Sequence, residues 1–249
     1  MPDPVETLEG WYVSHDFRRI DWTAWRATPA SEREDALREL ASWVRGWRAQ
    51  EESQEGSGAL YQMAGHRADL LLMTLRPRLQ DLNRVKWDLN RLAIARVLVP
   101  TYSYLSVVEL SAYLANGNPD PETNPRLRSR LYPTLPTLST LSFYPMSKRR
   151  DGNDNWYMME REHRAHLMRG HGAVGHKYHG RVIQIITGSQ GLDDWEWGVT
   201  LFADDPLDIK KLVYEMRFDE ASARFAEFGP FLVGTRVEPE QFPHLLDLP

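Results

Sequence analysis

The 249-residue chain contains no cysteine. That single absence excludes disulfides, thiolate-held zinc, iron–sulfur clusters, thioether-anchored haem and a thiol nucleophile together, and leaves histidine, tyrosine or carboxylates to hold any metal. Long apolar runs are missing too. No uncharged stretch approaches the roughly 18 residues needed to cross a bilayer, and the opening MPDPVETLEGWYVSHDF lacks the basic and apolar segments of a secretory leader. A soluble, cytoplasmic protein without a membrane span is the expectation. Nor is there an excess of positive charge: 30 Lys and Arg stand against 35 Asp and Glu, a net charge of −5, which gives no electrostatic reason to expect nucleic acid as a partner. Local clusters of cations still suit an acidic small molecule.

What is present is an ordinary globular balance, 42% hydrophobic and 26% charged, sufficient for a sizeable core. The pattern along the chain is duplicated. GWYVSHDF (10–17) can be laid on SFYPMSKR (142–149), which pairs Tyr12 with Tyr144. YQMAGHRADLLLMTL (61–75) resembles QIITGS…WEWGVTLF (184–202), and each is followed by a helical segment and then an apolar strand, TYSYLSVVEL in the first half and FGPFLVGTRV in the second. The repeating unit reads strand, helix, two strands, helix, strand. That order predicts an α+β fold of two ferredoxin-like repeats, packed sheet to sheet as a dimeric α+β barrel. The halves are set at residues 1–114 and 141–249, with a connector at 115–140. Within it, residues 115–137 hold Pro119, Pro121, Pro125, Pro133 and Pro136 and are expected to resist helix and sheet.

Two helix starts have local signals. Ser31 and Glu34 form a capping-box pattern ahead of Leu37, Leu40, Val44 and Trp47 on one face, and Asp205 followed by Pro206 opens the last long helix.

The chemistry concentrates between Tyr144 and Glu220, in the blocks YPMSKRR, GHG, QIITGS and DDWEWGVTLFADDP…YEMRFDE. A tyrosine, a lone histidine between glycines, a glutamine and several cations in one compact half form the inventory of a redox cofactor site. Alternation through RVIQIIT places Gln184 in an apolar row with Val182 and Ile186, where an unpaired amide costs about 1–3 kcal/mol. The amide is either satisfied by backbone or water, or it faces a ligand. Gly170 and Gly172 are expected to end the helix before them and bend the backbone around His171. His171 then reads either as a cation at a helix C-terminus or as a neutral axial ligand to haem iron. The neighbouring His163, His166, His176 and His179 follow neither the HExxH nor the zinc-finger spacing. In SFYPMSK, Tyr144, Met146 and Lys148 share a face and span about 13 Å, the reach of a porphyrin, while core packing and a solvated KRR run are the plain alternatives. Arg130 and Arg217 are candidates to pair with carboxylates. Trp156, Trp195 and Trp197 read as core or interface aromatics.

Together these blocks resemble the coproheme decarboxylases, the haem-biosynthetic branch of the chlorite dismutase family. The resemblance spans most of the chain and is most specific over 141–234. It implies a homopentamer that holds iron-coproporphyrin III (coproheme), substrate and cofactor at once, in the C-terminal half. His171 would be the iron ligand, Gln184 the distal residue and Tyr144 the redox-active tyrosine. Arg130, Lys148, Arg217 and Ser222 would hold propionates, with Met146 on the binding face and Lys148 acting at the second propionate. The reaction implied is peroxide-dependent decarboxylation of two propionates to vinyls, giving haem b through a three-propionate intermediate, with coproporphyrin ferrochelatase as a transient partner. A non-catalytic haem carrier or sensor is the competing reading. Chlorite degradation is disfavoured, because chlorite dismutases carry arginine where this chain has Gln184. The first half has Asp16 opposite Lys148, Tyr61 opposite Gln184 and no counterpart of His171, so it reads as a scaffold copy without a site.

Overall fold

The computed structural model of the chain describes residues 4–111 and 120–246. From the N-terminus run β1 (Thr7–Ile20), α1 (Trp22–Ala27), α2 (Ala30–Glu52), β2 (Ser57–Met63), β3 (Leu70–Arg76), α3 (Leu79–Arg91) and β4 (Leu98–Ser111). Next come α4 (Pro125–Leu131), β5 (Thr140–Lys148), a small hairpin of β6 (Arg150–Asp151) and β7 (Asp154–Asn155), α5 (Arg161–His176), β8 (Ile183–Gly188) and β9 (Trp197–Ala203). The chain closes with α6 (Pro206–Met216), α7 (Glu220–Ala223), β10 (Ala226–Phe228), β11 (Leu232–Val237) and α8 (Phe242–Leu245). The expected order of strand, helix, two strands, helix, strand occurs twice.

The described residues form two compact units that are not continuous in sequence. One comprises residues 4–10, 106–111, 120–131 and 138–231; the other comprises residues 11–105, 132–137 and 232–246. In the second unit β2 and β3 pair antiparallel, β1 flanks β3 and β11 flanks β2. β3, LLLMTLR, is buried at every position, as expected of a strand covered on both faces. α2 buries Leu37, Leu40, Val44 and Trp47 together with Ala36 and Ala41, a spacing that keeps one stripe on the core. Each large apolar side chain withdrawn from water in this way stabilises the unit by about 1.5–3 kcal/mol. Trp25, at zero exposure, also satisfies its indole by donating from Nε1 to Leu246 O at 2.9 Å.

In the first unit β5 lies between β10 and β9, β9 pairs with β8, and β8 pairs with the end of β4, all antiparallel. The β5–β9 register sets Tyr144 opposite Val199 and Met146 opposite Trp197. Asp205 caps α6 as expected, accepting from Leu207 N at 2.9 Å ahead of Pro206.

Two local expectations are corrected. Ser31 does not cap α2: the helix begins at Ala30 after Pro29, which is the N-cap and offers no side-chain cap, so Ser31 already lies inside the first turn. The proline-rich connector is not free of helix either. Pro125 opens α4, where its missing N–H costs nothing, and the Asn124 side chain accepts from Leu127 N at 3.2 Å. Pro119 lies outside the described residues.

Gly58 shows how closely α2 sits on its sheet. A Cβ there would come within 2.5 Å of Trp47 Cε3. Gly58→Ala is therefore expected to cost about 1–3 kcal/mol through overpacking. Denaturant unfolding checks this, and a change within about 0.5 kcal/mol would contradict it.

Candidate functional site

The first unit gathers most of the site residues expected from sequence. Tyr144, Met146 and Lys148 follow one another on alternate positions of β5, and β10 lies beside them, with Phe228 opposite Met146 and Ala226 opposite Lys148. Tyr144 is buried among Val199, Leu201 and Leu212, with Met146, Val182, Ile186 and Phe228 packed against the same cluster. Its ring stacks on Phe231 at a centroid separation of 4.4 Å and lies 5.7 Å from Phe228. Arg217, the C-cap of α6, sits over the Phe228 ring at 3.7 Å with its guanidinium at the surface. An arginine there brings a cation to the edge of the tyrosine's aromatic wall.

His171 stands on α5 and is not at a helix end. The helix runs through Gly170, Gly172 and Gly175 to His176, and the first glycine after it with positive φ is Gly180, at 80°. Each interior glycine costs roughly 1 kcal/mol of helix propensity. Packing of α5 against α6 and α7 offsets that cost. Lys177 and Tyr178, just after α5, both reach Glu215 of α6, and the Tyr178 hydroxyl donates at 3.1 Å. The reading of His171 as a helix C-terminal cation falls with the helix end.

The partner of His171 is Asp219, whose Oδ2 lies 2.7 Å from Nδ1. The carboxylate side chain is only 6% exposed, whereas the imidazole is 34% exposed. Asp219 also caps α7: Oδ2 accepts from Ser222 N at 3.1 Å and from Ser222 Oγ at 3.2 Å. Ser222 Oγ lies 3.4 Å from His171 Nδ1, so Ser222 joins the histidine–aspartate pair. With a carboxylate accepting from Nδ1–H, the imidazole is held as the tautomer whose Nε2 keeps its lone pair for a metal. Among the described residues no three His, Asp or Glu side chains converge as a metal cage. One axial nitrogen, with the remaining ligands supplied by a macrocycle, fits that donor set.

Lys148 connects this pair to the tyrosine strand. Its Nζ donates to Ala221 O at 3.1 Å and lies 4.2 Å from the centre of the Trp156 ring, and Trp156 packs on Phe225. Its backbone N–H donates to Glu196 Oε2 at 2.7 Å. Burial pulls the Lys148 ammonium down to about 8, while the nearby charges of Asp219 and Glu196 act to raise it. Burial acts on Tyr144 in the other direction and lifts its phenol to about 12, against a smaller lowering by Arg217.

Gln184 is exposed on β8 rather than buried in its apolar row; Val182 and Ile186 on either side of it are the partly buried members. Arg130, on α4, makes no described hydrogen bond or ion pair with this group; burial is the main cause lowering its pKa, with Arg126 adding to it. Sequence reasoning missed Asp219 and Glu196. For Asp219 a signal existed, since an aspartate three residues before Ser222 has N-cap spacing.

This architecture belongs to a known class. Residues 30–237 match the chlorite dismutase family model, and the chain is a member of that family. It is 51% identical over 248 residues to the coproheme decarboxylases of two strains of Thermus thermophilus, covering 100% of this chain and 98% of each relative. Among solved structures it superposes on a heme-binding protein from Thermus thermophilus with a TM-score of 0.94 at 51% identity, over 100% of this chain and 99% of that one. Chlorite dismutase from Candidatus Nitrospira defluvii in complex with imidazole shares the fold at a TM-score of 0.77 and 20% identity, with 96% of both chains covered. No helix among the described residues is long and apolar enough to cross a membrane.

The lowered pKa of Lys148 has a consequence for stability. Between about pH 8 and the ordinary 10.5 the unfolded chain holds this proton and the folded chain does not, so stability rises with pH across that window. Lys148→Met is expected to be more stable than the parent at pH 7, with the difference closing as pH rises through the window. Unfolding curves for the two proteins at a series of pH values check this; parallel curves would contradict it.

Proposed function

We infer that this protein is a coproheme decarboxylase, converting two propionates of iron-coproporphyrin III to vinyls and yielding haem b. The observation that carries the reading is the His171–Asp219 pair placed in the same unit as a buried tyrosine and a part-buried lysine. The full-length identity to named coproheme decarboxylases supports it.

In this reading His171 Nε2 would hold the iron, with Asp219 keeping the ring in orientation and raising its basicity by accepting from Nδ1. Bound coproheme supplies the iron chemistry that takes oxidising equivalents from hydrogen peroxide. The residues bind, orient and move hydrogen. Tyr144, a neutral phenol at physiological pH, gives up its O–H hydrogen and then takes one from the propionate. Each turn balances as one propionate carboxylate, one hydrogen peroxide and one proton giving one vinyl group, one carbon dioxide and two waters. Lys148, with a pKa near 8, donates a proton or pairs with a carboxylate within a small energy range. Arg217 supplies a surface guanidinium for a propionate, and Arg130 is assigned the same role. Gln184, an exposed neutral amide on β8, would contact the bound group without carrying charge. Ser222 serves the histidine–aspartate pair more directly than a propionate. The working assembly is a homopentamer in the cytoplasm, receiving coproheme from the ferrochelatase that makes it.

Titration of the coproheme complex with peroxide under mass detection tests the assignment. The expected result is loss of two carboxyl groups in succession through a three-propionate species. Bleaching without those losses would turn the reading to a haem carrier, and oxygen release on adding chlorite would favour chlorite degradation. Tyr144→Phe is expected to keep coproheme binding and slow decarboxylation by about 100-fold or more, roughly 2.7 kcal/mol of barrier.

A further inference from the structure

Glu196 stands immediately before β9 and is 9% exposed. A carboxylate so far withdrawn from water is costly unless hydrogen bonds or charges replace its hydration. Two of its ties go to the main chain of β5: its own N–H donates to Met146 O at 3.1 Å, and its Oε2 accepts from Lys148 N at 2.7 Å. Its carbonyl accepts from Ser189 N at 2.9 Å, which closes the loop between β8 and β9 behind it. Side chain and backbone of Glu196 thus fix one stretch of β5, with Lys148 at its end. The side-chain contacts leave the anion largely uncompensated. Arg150 Nη1 lies 3.7 Å from Oε1 on a side chain 66% exposed, where such a contact contributes little. Half-buried Tyr157 lies beside the carboxylate, and burial first and this anion second push the phenol's pKa upward, so it stays neutral.

The Lys148 ammonium has a matching need. It rests over Trp156 and donates to a neutral acceptor, Ala221 O at 3.1 Å. Two carboxylates act on its charge, Asp219 of the α7 cap first and Glu196 second, both opposing the effect of burial. Asp219 is already engaged by His171 and by both donors of Ser222. The other acids beside this strand are turned elsewhere. Glu227 of β10 and Asp154 of β7 lie 3.8 and 3.9 Å from Arg149, and Asp154 also accepts from Arg224 at 2.8 Å.

We propose that Glu196 is a positioning residue for Lys148, setting its place on β5 through the backbone and balancing its ammonium charge in the buried site until a propionate arrives. This role rests on the reading in which Lys148 acts at a propionate of coproheme.

Two variants separate charge from reach: Glu196→Gln keeps an oxygen for Lys148 N and removes the charge, whereas Glu196→Asp keeps the charge and shortens the side chain. In the full-length protein with isotope-labelled lysine, the Lys148 Cε resonance, assigned by its loss in Lys148→Arg, reports the titration of the ammonium directly and without coproheme. Its midpoint is expected near pH 8 in the parent, at least about 0.5 pH unit lower in Glu196→Gln, and back toward the parent in Glu196→Asp. With coproheme and peroxide, the second decarboxylation falls at alkaline pH as the lysine loses its proton, and in Glu196→Gln that fall is expected to move to lower pH by a comparable amount. A Lys148 titration unmoved by Glu196→Gln, or moved as far by Glu196→Asp, would overturn the proposal whether or not the parent forms haem b. Absence of haem b from the parent would instead overturn the functional reading, with the resonance still deciding the role of Glu196.

Discussion

One carboxylate hidden from solvent organises the first unit. A buried anion is tolerated only when hydrogen bonds replace its hydration, and Asp219 obtains them from Ser222 N, Ser222 Oγ and the imidazole of His171. The same bonds cap α7 and fix α5 against it. Because Ala221 lies in that capped turn and its carbonyl receives the Lys148 ammonium, the lysine is placed by the same anion at one remove. Removal of the carboxylate would loosen a helix start, an imidazole and a lysine together.

Around this anchor, low polarity acts on two residues of one strand in opposite senses. The Tyr144 phenol is held neutral well above physiological pH, and the Lys148 ammonium is brought close to it. One position is thereby suited to releasing a whole hydrogen atom and the other to exchanging a proton. Both effects follow from burial along β5, where Tyr144 joins the cluster around Val199 and Leu201 while Lys148 lies over Trp156 in a separate cluster, and neither requires an unusual backbone conformation. Arg217 rests its guanidinium on Phe228 at the surface, and among the described residues it forms no ion pair with a carboxylate.

Much of this arrangement was legible in the sequence, and what was not has a common cause. Period-2 alternation revealed Tyr144, Met146 and Lys148 as one face, and 3.6-residue periodicity with an Asp-Pro start revealed α2's stripe and α6, because these patterns are local. The helix through Gly170 and Gly172 was misjudged because glycine propensity argues for a stop while packing against α6 and α7, remote in sequence, overrides it. Asp219 was missed because its role depends on an imidazole 48 residues away. Gln184 kept its place on the strand but not its expected burial, since alternation fixes the face of a residue and not what covers it.

The account rests on His171 as the iron ligand with Asp219 as its anchor. Resonance Raman spectroscopy of the ferrous coproheme complex measures the iron–imidazole stretch directly. A band that is present in the parent protein, lower in frequency in Asp219→Asn and absent in His171→Ala is the predicted result. The same band persisting in His171→Ala would contradict it.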